Sequence, residues 1–146
     1  MRRLSILIVT LFLAVFLAAC GQSSNTYSME EDGISISMTF KHKDDKITEQ
    51  TMENVMPYEV MGLESKEQAE ALFGMIMGEM EDIPGVKHDV KYKKNELIQT
   101  MVVDYKKASS SDAMDMGGMF FDADFDESMS MSEVDEMLTS QGFTKK

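Results

Sequence analysis

The amino-acid sequence predicts an α+β fold with two layers, in which a mostly antiparallel sheet of two β-hairpins packs against two helices in the order ββα-ββα. Two observations carry this prediction. Polar and apolar residues alternate in paired segments, and apolar residues recur at helical spacing after each pair. Residues 33–146 are long enough to bury one hydrophobic core, so we expect a single domain there.

The first predicted hairpin begins at Gly33. Its first strand alternates serine, threonine and lysine with a set of apolar residues, namely Ile34, Ile36, Met38 and Phe40. This alternation is typical of a strand with one buried face. Asp44 and Asp45 supply turn chemistry, and residues 47–55 return as the second strand.

A helix is predicted after this hairpin. Ser65 and Gln68 stand at the spacing of a capping box, and Pro84 and Gly85 end the segment. Between them one apolar stripe recurs at spacings of three and four residues, and it comprises Ala69, Leu72, Phe73, Ile76, Met80 and Ile83.

A second hairpin and a C-terminal helix follow the same plan. Residues 86–92 alternate apolar and polar side chains, and residues 97–105 return after a turn. A short helix is predicted to start after Ser130 or Ser132. The segment from residue 108 to residue 131 is long and largely non-periodic, and such loops are often functional, so we expect the binding surface there.

The N-terminus has the layout of a secretory signal. Two arginines precede an apolar run over residues 6–19 that is too short for a spanning helix. Leu17-Ala18-Ala19-Cys20 resembles a bacterial lipobox, in which the cysteine thiol receives diacylglycerol and becomes the new N-terminus. We therefore predict a signal peptide over residues 1–19 and a lipidated Cys20 with a flexible tether over residues 20–32. A secreted protein with a free cysteine is the alternative.

Composition narrows the function classes. The chain has one cysteine and no tryptophan. Its formal net charge of −12 disfavours a nucleic-acid partner. Lipidation of Cys20 leaves no thiol for a disulfide or a nucleophile. No P-loop, dinucleotide-binding fingerprint or nucleophile elbow is present. We therefore expect no enzymatic activity.

Methionines in the long loop raise one metal-binding hypothesis. Met114, Met116 and Met119 lie close together, and thioethers are soft ligands that suit Cu(I) or Ag(I). The alternative is that methionine is a flexible apolar filler throughout, because the chain contains 16 of them.

Carboxylates in the same region raise a second hypothesis. Asp122, Asp124, Asp126 and Glu133 fall at positions 1, 3, 5 and 12 of an EF-hand-like calcium loop. Glu127 stands where that loop normally has glycine, so the match is partial. Acidic residues before a helix are also explained by capping and the helix dipole.

The two histidines raise a third metal hypothesis. His42 and His88 both fall on the apolar-facing register of their predicted strands. Two imidazoles on one face are able to share a zinc ion. The alternative is that each is a packed, hydrogen-bonded core residue.

Five segments together resemble the YehR-like family of small bacterial lipoproteins. They are the lipobox, SMTFKHKDDKITEQTMENVMPYE, SKEQAEALF, GVKHDVKYKKNELIQTMVVDYKKA and MLTSQGFTK, and they cover nearly the whole mature chain. The resemblance implies a compact α+β domain on the outer side of a bacterial membrane. It implies no activity and carries over no catalytic or binding residues.

The sequence therefore predicts a membrane-anchored extracytoplasmic lipoprotein that is not an enzyme. We expect a binding or accessory module of the cell envelope, with another envelope protein or a small ligand as its partner and no required cofactor. Metal handling through the methionines or the carboxylates is the alternative function, and a structural envelope protein without a ligand is the third.

Overall fold

The computed structural model describes residues 21–77, 83–108 and 130–146. These residues form one six-stranded antiparallel sheet with two helices. In chain order the elements are β1 (Ser23–Glu31), β2 (Ile34–Lys43), β3 (Lys46–Pro57), α1 (Lys66–Met77), β4 (Val86–Tyr92), β5 (Glu96–Asp104), α2 (Met131–Ser140) and β6 (Thr144–Lys145). The strand order across the sheet is β4-β5-β3-β2-β1-β6.

Both predicted hairpins and both predicted helices are present, so the antiparallel α+β class is confirmed. The ββα-ββα order is not, because β1 precedes the first hairpin and β6 follows the last helix. The flexible tether predicted over residues 20–32 is wrong for Ser23–Glu31. That segment pairs along its whole length with β2, and the side chain of Tyr27 is fully buried.

The two faces of the sheet differ in chemistry. Every buried strand residue lies on the face that carries both helices, and the opposite face has only exposed or half-buried side chains. On the covered face, α2 packs over a larger apolar cluster that includes Tyr27, Phe40 and Met52, whereas α1 packs Ala69 over a smaller cluster around Leu97. The opposite face is called the open face below.

Helix α2 begins at a capping box formed by Ser130 and Glu133, at the first of the two start positions that the sequence predicts. The Ser130 hydroxyl accepts from the Glu133 amide (3.2 Å), and Glu133 Oε2 accepts from the Ser130 amide (2.8 Å). The β2–β3 turn adds a second cap, because Asp45 Oδ1 accepts from the amide (3.0 Å) and the hydroxyl (2.9 Å) of Ser132. Two orphan helix amides are thereby satisfied, and the turn fixes where α2 starts.

Helix α1 follows its prediction in part. The Gln68 amide donates to Ser65 Oγ (3.3 Å), and Gln68 Oε1 accepts from the amide of Glu64 rather than of Ser65. Ala69 is fully buried, but Leu72 is 49% exposed and therefore does not belong to the buried stripe. The side chains of Ile76 and Met80 lie outside the described residues.

Tyr27 links three elements. Its hydroxyl donates to Asp135 Oδ1 on α2, and Lys145 Nζ on β6 donates to the same oxygen at 2.7 Å. The Lys145 hydrogen bond, followed by that of Tyr27, lowers the pKa of Asp135, and burial together with Asp135 raises the pKa of Tyr27. The carboxylate therefore ties α2 to both strands at that edge of the sheet.

Gly85 occupies a position that excludes a side chain. Its φ is +81°, and a Cβ atom there would lie 2.4 Å from the Ala108 amide nitrogen and 2.9 Å from the Asp104 carbonyl oxygen. Its own carbonyl accepts from the Asp104 amide at 2.8 Å. The chain entering β4 therefore packs directly against the turn that leaves β5.

We expect Gly85→Ala to destabilise the domain by about 3 kcal/mol or more, because a left-handed conformation and a backbone clash add together. Gly62 is the matched control, since its φ is +70° but nothing lies within 4 Å of the place that a Cβ atom would take. Gly62→Ala is expected to cost only about 1 kcal/mol. Urea unfolding checks both values, and equal losses would contradict the close approach at Gly85.

We expect Asp135→Asn to lower the thermal midpoint at neutral pH and to weaken its dependence on acid. Because the pKa of Asp135 is lowered, its contribution is fully present above the ordinary value of 3.8 and is lost as the pH falls through the folded value. The gap between wild type and variant should close on acidification. Circular dichroism melts between pH 2 and 7 measure this gap. Asp89→Asn, which alters an exposed pair, is the control, and a gap that is constant with pH would refute the ionic role.

Candidate functional site

Most of the residues singled out from the sequence lie outside the described residues. These are Cys20, Met114, Met116, Met119, Asp122, Asp124 and Asp126. Glu133 is described, and its carboxylate completes the capping box, with Oε2 accepting from both the amide and the hydroxyl of Ser130 at 2.8 Å. The structure therefore gives Glu133 a structural role at the start of α2.

The structure contradicts the hypothesis that the two histidines share a zinc ion. His88 is on the edge strand β4 and His42 is on β2, with β5 and β3 between them. Three strand spacings separate their Cα atoms by at least about 14 Å, whereas both nitrogens must lie about 2 Å from one zinc ion. Within residues 21–77, 83–108 and 130–146, no group of three or more His, Cys, Asp or Glu side chains is placed to hold a metal.

Each histidine instead has a local partner. His42 Nδ1 lies 2.7 Å from the carbonyl oxygen of Asp44, and His88 Nε2 lies 2.9 Å from Gln99 Nε2. Burial lowers the pKa of His88, so the neutral imidazole is favoured and its Nε2 accepts from the Gln99 amide. His88 is therefore a packed structural histidine, whereas the Nε2 of His42 is buried without a hydrogen-bond partner among the described residues.

A polar row on the covered face separates the two apolar clusters. Asn54 on β3 pairs with Gln99 on β5, and their side chains are only 8% and 2% exposed. Further along β3, Gln50 Oε1 accepts from the hydroxyl of Tyr105 at 2.6 Å, and burial raises the pKa of Tyr105 to about 12. These groups are enclosed, so they serve packing and register rather than ligand binding.

The open face carries a groove of about 590 Å³ beside the strands β1 and β6. Cross-strand pairing places Ser28 beside both Ser37 and Thr144, and it places Glu53 beside Ser37 on the other side. The groove is lined by Ser28, Met29, Glu30, Ser35, Ile36, Ser37, Glu53, Val55, Gly142, Thr144 and Lys146. Ser28, Ser37 and Glu53 lie directly opposite one another on β1, β2 and β3, so their side chains project from the same face of the sheet.

The groove has a surplus of hydrogen-bond acceptors. Glu30 and Glu53 line it, and within the described residues neither forms an ion pair. Of the described residues that line the groove, Lys146 is the single cation, and it forms no ion pair with another described residue. Volumes of 300–1,000 Å³ are typical of small-molecule sites, so the groove is large enough for a ligand.

Sequence reasoning missed this groove because it missed β1. The serines of β2 were visible as the polar half of an alternating strand, and Glu53 as part of the next strand. Their proximity to Ser28 and Glu30 depends on β1 pairing with β2, for which a polar segment gives no periodic signal. In the part of the chain that is described, no helix is both long and apolar enough to cross a membrane.

Comparisons with known proteins place the chain in a family. The family model of a protein of unknown function, DUF1307, matches residues 23–144. An uncharacterised lipoprotein of Listeria innocua, Lin0239, is 39% identical over 135 residues, which cover 91% of this chain and 88% of the relative. The uncharacterised lipoprotein YehR of Escherichia coli is 24% identical over 140 residues, which cover 94% of this chain and 92% of the relative.

A solved structure shows the same fold. The NMR structure of Escherichia coli YehR superimposes with a TM-score of 0.72 at 21% identity, covering 85% of this chain and 90% of that chain. The resemblance to the YehR-like family that the sequence predicts is therefore confirmed. The family match begins at the first residue of β1 and ends within β6, so it spans every described element. The chain belongs to the DUF1307 family.

Proposed function

We propose that this chain is a lipoprotein held at the outer side of a bacterial membrane by lipid on Cys20, and that its domain is a non-catalytic binding module. The anchor is supported by the sequence Leu17-Ala18-Ala19-Cys20 after an apolar run, and by relatives that are named lipoproteins at 39% and 24% identity. A lipid anchor holds the domain at the membrane without a spanning helix.

The groove on the open face is the observation that carries the binding function. An antiparallel sheet often leaves one face to water. Here β6 and Lys146 flank the edge of β1 and border a concavity of about 590 Å³. Ser28 and Glu53 present side chains into it with no partner among the described residues, so they are available to a ligand.

The hydrogen bonds of the histidines support the non-catalytic part of the proposal. A hydroxyl nucleophile is commonly activated by a base within hydrogen-bond reach. His42 bonds a backbone carbonyl, and His88 bonds the side-chain amide of Gln99. Each imidazole thus has one nitrogen bonded to a group that takes no part in acid–base chemistry, while the buried Nε2 of His42 has no hydrogen-bond partner among the described residues.

Lipidation is tested by Cys20→Ala in cells fed an alkyne fatty acid. We expect the wild-type chain to incorporate the label and the variant to incorporate none, because the thiol is the acceptor. Ser23→Ala, three residues downstream, is the matched control and should be labelled like the wild type. Mass spectrometry of the N-terminal peptide locates the lipid, and label on the Cys20→Ala chain would contradict the anchor.

Metal handling remains the alternative function, through Met114, Met116 and Met119 or through the aspartates at 122, 124 and 126. The test is amide NMR of the mature lipoprotein in detergent micelles, titrated with Ca²⁺, Zn²⁺ and, as a Cu(I) surrogate, Ag⁺. Saturable shifts confined to residues 112–133 would establish a metal site, and the ion that acts would distinguish carboxylates from thioethers. Under the binding-module proposal we expect no saturable shifts from these ions.

A further inference from the structure

We propose that the groove on the open face binds a hydrophilic molecule that carries a primary ammonium group. This inference rests on the proposed function, because it names the ligand class of the binding module. Amino sugars and short polyamines share this chemistry. The groove contributes two carboxylates and several hydroxyl groups beside the lysine Lys146, and the ligand contributes a further positive charge.

The first step is the contrast between two glutamates on the open face of β3. Glu49 lies opposite Lys41 on β2, and their side chains form an ion pair at 2.6 Å. Glu53, four residues on and on the same face, lies between Ser37 and Thr100. The same strand thus places a lysine against one carboxylate and only hydroxyl groups against the other. The charge of Glu53 is left for an external cation.

The second step is the position of the other carboxylate. Glu30 lies opposite Ser35, which lies opposite Val55, so Glu30 also faces a hydroxyl group and not a lysine. Glu30 and Glu53 are two strands apart across the sheet and offset by two residues along it. Their Cα atoms are therefore about 12 Å apart. One metal ion needs its oxygens at about 2.4 Å, so this spacing suits a molecular cation better than a bound metal.

The third step is the surface between the two glutamates. Ser28, Ser35 and Ser37 supply hydroxyl groups that both donate and accept, and Thr144 adds a fourth from β6. Among the described residues no aromatic side chain lines the groove, so these residues offer no stacking platform for an apolar ring face. Such a surface favours a ligand with several hydrogen-bonding groups beside its ammonium.

Four probes separate the elements of this ligand class. Glucosamine has an ammonium and hydroxyls, putrescine has ammoniums alone, glucose has hydroxyls alone and glucuronate has hydroxyls with a negative charge. Each is titrated into the mature lipoprotein in micelles and followed by amide NMR. We expect saturable shifts at Ser28, Ser37 and Glu53 with glucosamine and putrescine, about tenfold weaker binding of glucose, and none of glucuronate.

Two variants test the carboxylates. The double variant Glu30→Gln with Glu53→Gln keeps the shape of both side chains and should weaken glucosamine binding about tenfold or more. Glu49→Gln is the matched control, because Glu49 lies on the same strand and face but is already paired with Lys41. It should change the affinity by less than about twofold.

Three results would overturn the proposal. They are preferential binding of glucose or glucuronate in the groove, unchanged glucosamine affinity in the double variant, and no shift with any of the four probes. The first would preserve the binding module and change only its ligand class. Failure of the anchor would be seen separately, as absence of fatty-acid label on Cys20.

Discussion

The burial of the Tyr27 side chain is the interaction on which the position of β1 depends. The side chain is fully buried, its ring meets Phe40 edge to face at 6.1 Å, and its hydroxyl bonds Asp135. The other residues of β1 are half-buried or exposed, so little else fixes this strand by burial. Since Ser28 and Glu30 lie on β1, the pairing of β1 with β2, which the burial of Tyr27 favours, sets the position of the groove lining.

Residues that bury their side chains in a regular pattern were predictable from the sequence. The alternation in β2 and the Asp44-Asp45 turn located the first hairpin correctly, and Ser130 was one of the two positions predicted for the start of α2. These signals are local. Each signal lies within about ten residues, so strand periodicity and capping residues can be recognised without knowledge of the fold.

The features that the sequence did not predict have a common physical cause: each depends on pairing between strands that are distant in the sequence. Strand β1 has one fully buried residue among nine, so its sequence shows no alternation, and its structure comes from the edge offered by β2. The two histidines lie on the same face of the sheet but far apart, because the strand order places two strands between them. The groove depends on the pairing of β1 with β2 and β6. Its residue types were therefore visible in the sequence, but their assembly was not.

The early start of the sheet fixes how far the domain reaches. Only Gly21 and Gln22 separate Cys20 from Ser23, and the Gln22 side chain donates to Thr48 Oγ1 at 2.6 Å. A domain anchored at Cys20 therefore stands directly on the bilayer without a stalk. Strand β3, with 12 residues, extends about 40 Å from that end. Under the proposed anchor at Cys20, a ligand of the groove would therefore come within that distance of the lipid surface.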